Sequence, residues 1–381
     1  MSMISNAMSG LNAANVAMTV AGQNVANAAV DGYSRQAASF ATSNSPLGGV
    51  YVNSVDRIVD AFLNDDIWRT QSDLSYYQSK QTYLGYVEEI VGTDSLNFND
   101  AVGQITNAFN AAASSPDSNA YRQQIISSSE GLIQDLAQMN GALSAQIDKL
   151  SLEMTNLASN TSSTAQQIAD VNQSIVQAIA NKQPTAELKD KREQLITELS
   201  SQIGIAITER DDGSLDISTL SGAPLVIGTS AATVSVAGTE VSTSLKGQSF
   251  TLNDQVGGKF GGLISADSQV IQPTLEKLSD LVKDFADDVN TALSEGFDLN
   301  GDAGIPLFTY NVANPLSSIE INPAITPEKI ALIGGEFDAG GNWVAAGGRG
   351  DDAKGANIVA ANHSNEEEFA VVAGALGIGR E

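Results

Sequence analysis

His363 is the chain's one histidine and there is no cysteine, so any chemistry has to be sought among carboxylates, hydroxyls and amides. The missing thiolates remove cysteine nucleophiles, thiolate zinc sites, iron–sulfur clusters and disulfides, and one imidazole leaves a single group for acid–base work near neutral pH. No Gly-x-Ser-x-Gly elbow accompanies His363, which sits in the acidic run His363-Ser-Asn-Glu-Glu-Glu-Phe369 and reads as a solvated side chain. The spacing closest to a metal site is Asp298-Leu-Asn-Gly-Asp302, with oxygens at alternate positions as in a calcium loop. Its sixth position is Ala303, where that loop needs Gly, and its twelfth is Thr309, where it needs a bidentate Glu. The cluster Gly257–Gly262 lacks the Gly-Lys-Ser/Thr ending of a phosphate loop and the dinucleotide spacing, so it reads as a tight lead-in to a helix. Carboxylates are abundant, but no pair stands out from a charged surface in the way a glycosidase pair would have to. Neither a cofactor nor a metal is expected, and the chain is not expected to be an enzyme.

The elements around these residues have to account for 381 residues, too many for one core, so several structural units are expected. Forty-five acidic against 19 basic residues give a net charge of −26. Such a surface repels phosphate backbones and anionic headgroups, which sets aside nucleic acid and membrane as partners. Yet positions 1–30 contain no Asp, Glu, Lys, Arg or His. Asn6, Asn12, Asn15, Gln23, Asn24 and Asn27 break every apolar stretch there, so the segment is neither a secretory signal nor a membrane span.

At a seven-residue interval the N-terminus reads Ile4, Leu11, Met18 and Val25, and three residues later Ala7, Ala14, Ala21 and Ala28. Large residues alternating with Ala allow close helix approach, and a back of amides and hydroxyls can be buried more cheaply than charges. Two readings follow: a helix enclosed by other subunits, ordering only on assembly, or an Ala-rich amphipathic helix on the chain's own core.

A second heptad runs through Leu136, Leu143, Leu150, Leu157, Thr164, Val171 and Ala178, interleaved with Ile147, Met154, Thr161, Ile168 and Ile175. It predicts one helix over about Ser118–Asn181, on the order of 95 Å at about 1.5 Å per residue, stopped by Pro184. A helix over Thr185–Ile203 follows, with Gly204 as its expected cap. Val55–Val91 and Ser265–Glu295 should supply partner helices, with Trp68 and the Tyr76, Tyr77, Tyr83 and Tyr86 group as packing residues. Period-two segments at Ile205–Ile217, turning at Asp212-Gly213, and at Leu225–Ile227, Thr233–Val236 and Ser249–Leu252 predict a small β insertion.

The stretches Ser9-Gly-Leu-Asn-Ala-Ala-Asn15, Gly22-Gln-Asn-Val-Ala-Asn27 and Gly32-Tyr-Ser-Arg-Gln36 resemble the N-terminal signature of bacterial flagellar axial proteins. In that motif the residues are Asn24, Asn27, Gly32, Tyr33, Ser34 and Arg35. Further segments are similar to the hook-associated family in particular: Phe109–Pro116 with Tyr121-Arg122, Gly257–Leu263 and Gly296–Gly301, in order over roughly residues 1–335. Val30-Asp31 departs from the Thr-Pro common before the Gly-Tyr. The resemblance also implies a closing C-terminal helix paired with the N-terminal one. Nothing after Asn357 reads as such a heptad, so either the chain is a shortened form or its terminal region is atypical.

The expected fold is mainly α with β insertions, an elongated coiled-coil-like bundle with small β-rich outer regions. Its parts are 1–34 as an assembly helix, 35–203 with 263–296 as the bundle, 204–262 as the β insertion, and 297–381 as a β-rich or irregular region. The resemblance implies a structural subunit joining hook to filament, exported without a cleaved signal through the type III apparatus with an export chaperone. Its implied partners are copies of itself, the hook protein and the next junction protein, hook-associated protein 3. A hook or distal-rod subunit, or a surface protein with adhesin or hydrolase activity in its β regions, stays open as an alternative.

Overall fold

The computed structural model describes residues 2–30, 32–42, 49–92, 98–337 and 343–345. Asp31, His363 and the stretch after Asn357 lie outside them. Two compact units are present, one from Met1–Lys80 with Leu150–Ser265 and the other from Gln81–Lys149 with Ala266–Glu381.

The 62-residue helix α4 (Asn119–Ala180) contributes to both units, and the heptad read from the sequence is its buried face. Leu136, Leu143, Leu150, Leu157, Thr164, Val171 and Ala178 are all buried, as are Met154, Thr161, Ile168 and Ile175. It ends just ahead of Pro184, with Lys182 in the left-handed region and the Gln183 N–H donating to the Ala178 carbonyl, a six-to-one closure that satisfies an orphan carbonyl.

In the first unit, α1 (Ser2–Ala26) is followed by an antiparallel hairpin of β1 (Gln36–Thr42) and β2 (Val50–Arg57) with a bulge between Ser39 and Phe40. Period-two patterning is weak there, and the helix expected from Val55 instead begins as α2 (Ala61–Gly92), because 55–57 pair with β1. Helix α3 (Phe98–Ser114), which the sequence reading does not place, follows α2 and belongs to the second unit. Helix α5 (Ala186–Gln202) buries Leu195, Leu199 and Ile196 and ends where Ile203 turns extended, its N–H still bonded to the Leu199 carbonyl, so the expected Gly204 cap is not used.

The β insertion forms two sheets. β3 (Ile205–Glu209), β4 (Leu215–Thr219), β5 (Pro224–Ile227) and β6 (Ser230–Ala231) pair in sequence order, and so do β7 (Thr233–Ala237), β8 (Glu240–Leu245) and β9 (Gln248–Leu252). The first hairpin turns at Asp212-Gly213 as the sequence predicts, whereas β8 is not predicted because its serines and threonines blur the alternation. Buried Asn172 of α4 ties helix to sheet: its Nδ2 donates to the Leu215 and Gly228 carbonyls, and its Oδ1 accepts from Arg192 Nη1 of α5 at 2.9 Å. Positive φ at Gly257 and Gly258 turns the chain into α6 (Gly258–Ala266).

The second unit closes around Phe98, Phe109, Ile125, Leu132 and Leu136 with α7 (Gln272–Ser294), which presents Leu278, Val282, Phe285, Val289 and Leu293. Phe285 stacks edge-on with Phe98 at 6.0 Å and lies 5.6 Å from Phe308. The helix expected over 265–295 is broken by a π turn at Asp267–Ile271. The remaining described elements are short: β10 (Phe308–Thr309), α8 (Pro315–Ser318), β11 (Glu320–Ile321), β12 (Gly335–Phe337) and β13 (Trp343–Ala345).

Candidate assembly surface

Helix α1 carries no charge on any side chain, so packing alone decides which face meets its own chain. The face that does so is not the heptad seam. Ala13 and Val20 are buried against the β1–β2 hairpin, with Val16 and Ala17 half-buried beside them. The opposite face is open: Ile4, Leu11, Met18 and Val25 are 75%, 57%, 66% and 79% exposed, and Ala7, Ala14, Ala21 and Ala28 are exposed as well. Of the two readings of this helix, one enclosed by other subunits and one lying on the chain's own core, the structure shows Ala13 and Val20 packed on a hairpin that the sequence does not predict, with the seam residues left open.

The glycine, tyrosine and asparagine of the N-terminal motif fix how α1 joins the hairpin. Asn24 Nδ2 donates to the Gln36 carbonyl at 2.8 Å, while its Oδ1 accepts from the Gln36 N–H and from the Tyr33 hydroxyl, both at 2.9 Å. One amide thus satisfies the start of β1 and pins the turn. Gly32 supplies φ 77° in that turn, and a side chain there would run into Gln194. Asn27 continues the last helical turn through its backbone, its N–H bonded to the Gln23 carbonyl and its carbonyl to the Val30 N–H. Arg35 is exposed, and its carbonyl accepts from the Ile58 N–H at 2.8 Å.

Ser34 leads into an ionic joint. Arg57 at the end of β2 donates from Nη2 to Ser34 Oγ at 2.9 Å and to Glu193, and its Nε lies 2.7 Å from Asp190 Oδ1. The Arg57 side chain is only 7% exposed, so this triad binds the hairpin to α5 in a poorly hydrated setting where pairing is obligatory. A half-open cleft of about 510 Å³ lies alongside, lined by Tyr33, Ser34, Ile67, Trp68 and Glu193 among others. Two of its polar groups are already engaged, Glu193 by Arg57 and Trp68 Nε1 by Thr197 Oγ1 at 3.0 Å.

Apolar exposure is concentrated around this region. Among the described residues 25 large hydrophobic side chains are exposed, and 18 of them fall between Met3 and Tyr77, including Tyr77, which the sequence predicts as a packing residue. Tyr83 by contrast is buried and packs edge-on with Tyr86 at 5.8 Å.

The other sequence candidates have structural employment. Asp298 Oδ1 accepts from the N–H groups of Asn300 and Asp302 at 2.7 and 2.9 Å, so its carboxylate caps its own loop. Among the described residues, no three His, Asp or Glu side chains gather as a metal would require, and no helix is long and apolar enough to cross a membrane. Tyr121 is exposed, whereas its neighbour Arg122 is fully buried, donating to the backbone carbonyls of Pro116, Pro327 and Ile330. Burial pulls the Arg122 guanidinium below its ordinary value, with Asp117, Asp298 and Glu328 acting in the opposite direction.

These features define a helical-bundle protein with small β insertions, whose long helix buries its heptad face and whose uncharged N-terminal helix leaves its apolar seam exposed. The family model of the flagellar hook-associated protein FlgK helical domain matches residues 84–308, and the chain belongs to that family. Flagellar hook-associated protein 1 of Escherichia coli (strain K12) is 29% identical over 330 residues, covering 81% of this chain and 60% of that protein. The Bacillus subtilis (strain 168) protein of the same name is 25% identical over 227 residues, covering 56% of this chain and 45% of its own. A solved structure of the flagellar hook junction protein FlgK from Burkholderia pseudomallei superposes with a TM-score of 0.57 at 23% identity, over 65% of this chain and 46% of the other. The chain thus spans at most about 60% of the length of the relatives it matches.

Proposed function

We propose that the chain is a structural subunit of the bacterial flagellum that joins hook to filament and assembles through the outer face of α1. The observation that carries this reading is the open seam of Ile4, Leu11, Met18 and Val25 on a helix whose other face is already anchored. Four large apolar side chains along one line of a thirty-residue stretch without a charge are stable in water only until a matching apolar surface is offered. The remaining surface is strongly acidic and keeps unassembled copies apart. Membership of the hook-associated family supports placing that matching surface on other copies of the chain, on the hook protein and on hook-associated protein 3. It also supports passage through the type III export apparatus with a chaperone, without a cleaved signal, to an extracellular site at the end of the hook. No step of this role needs bond-making chemistry.

The test is co-sedimentation with polymerised hook, together with gold labelling of isolated hooks. The wild-type chain should pellet with hooks and label their distal end, while Leu11→Glu and Met18→Glu, with unchanged circular dichroism, should stay in the supernatant. Label along the whole hook would place the chain with the hook or rod subunits instead, and pelleting of the Glu variants would remove α1 from the interface.

A further inference from the structure

Among the described residues the methionines divide sharply between water and core. Met3, Met8 and Met18 of α1 are 87%, 54% and 66% exposed, whereas Met139 and Met154 of α4 are 1% and 0% exposed. The chain has six methionines and no cysteine, so thioethers are the only sulfur that an oxidant meets. At 3.6 residues per turn all three α1 methionines fall on the open side of the helix with Ile4 and Leu11, away from Ala13 and Val20.

We infer that Met3, Met8 and Met18 form an oxidation-sensitive modification site on the α1 face. The oxidant is a peroxide. One oxygen atom passes from hydrogen peroxide to the thioether sulfur, the O–O bond breaks as the S–O bond forms, sulfur loses two electrons, and the peroxide leaves as water. The product sulfoxide is polar and a strong hydrogen-bond acceptor, which converts a flexible apolar side chain into one that resists burial without a donor. Met18 lies on the seam and Met3 and Met8 flank it, so three such changes make the open face of α1 more polar, while the buried α4 methionines, out of contact with solvent, keep the fold intact. The consequence for assembly rests on the reading of α1 as the contact surface: oxidation before assembly blocks it, and assembly, by covering the thioethers, protects them.

The experiment uses the full chain, titrated with hydrogen peroxide, with three readouts. Peptide mass spectrometry should find sulfoxide at Met3, Met8 and Met18 forming at least about tenfold faster than at Met139 and Met154. Fluorescence of an apolar-surface dye should fall as those three sulfoxides form, and should hold steady in the triple variant Met3→Leu, Met8→Leu, Met18→Leu, which keeps the face apolar but without sulfur. Co-sedimentation with polymerised hook should weaken about tenfold or more on oxidation of the wild type and be unaffected by peroxide in the triple variant. Equal oxidation rates for exposed and buried methionines, or dye binding indifferent to the sulfoxides, would overturn the site. If wild type associates and its oxidised form does so equally well, the control of assembly fails while the α1 contact stands. Should the untreated chain never associate, the α1 contact fails, and the rate and dye readouts still decide the methionine site.

Discussion

Tyr33 and Asn24, nine residues apart, meet through a 2.9 Å hydrogen bond from the tyrosine hydroxyl to the amide oxygen. The same oxygen takes the Gln36 N–H, so the last turn of α1, the following turn and the first residue of β1 are held by one side chain. This joint adds to the packing of Ala13 and Val20 on the hairpin, which sets the face of α1 that stays open.

Asn24→Ala should therefore release the helix from the hairpin without unfolding the bundle. The Gln36 N–H loses its acceptor, a cost of about 1–2 kcal/mol confined to the joint. Hydrogen exchange followed by mass spectrometry should speed up over 20–36 and remain unchanged in α4.

Arg57→Ala leaves Asp190 and Glu193 facing each other without their cation. The Arg57 and Asp190 side chains are only 7% and 11% exposed, so the expected loss is about 3 kcal/mol, the range for removing one partner of a buried pair. Thermal unfolding should register it as a lower midpoint. Arg57→Lys should recover part of it, since the charge remains but the fork that reaches Ser34, Asp190 and Glu193 together does not.

Arg122→Met removes the donors for three backbone carbonyls at Pro116, Pro327 and Ile330. About 2–4 kcal/mol of destabilisation follows from leaving those acceptors buried and unpaired. Exchange protection should fall around 327–333, in the second unit, while the β insertion keeps its protection.

Asp212 governs a small pH dependence. Its Oδ1 accepts from both the Ser214 hydroxyl at 2.6 Å and the Ser214 N–H at 2.9 Å, and these bonds hold its carboxyl below the ordinary carboxylate value. A carboxyl lowered in the folded state contributes stability that is fully present above its unfolded pKa and lost as pH falls through the folded one. Acid titration from about pH 4 downward should therefore open the β3–β4 turn earlier than the helices. In Asp212→Ala that acid-dependent step, read from the exchange or chemical shift of the Ser214 amide, should vanish.

Much of the bundle was legible in the sequence because its signal is periodic. Every large residue on the main α4 heptad, from Leu136 to Leu157, is buried, since a long helix with one apolar stripe has one face to offer a core. Asp212-Gly213 was legible for a different reason: the turn's backbone conformation selects those residues locally. The β1–β2 hairpin, α3 and β8 were not, because their patterning is weak and their existence rests on partners distant in the chain. The sequence marks Arg122 only as part of a segment similar to the hook-associated family, and the fold alone brings Pro116, Pro327 and Ile330 around it.

What the sequence alone determined at the N-terminus is composition and spacing: a neutral helix with Ile4, Leu11, Met18 and Val25 along one line. Spacing says which side chains share a face, since that follows from helical geometry. It is silent on which face another element will cover. That was decided by tertiary structure, in which the hairpin buries Ala13 and Val20, whose small or branched side chains allow close packing, and leaves the larger seam residues to the solvent.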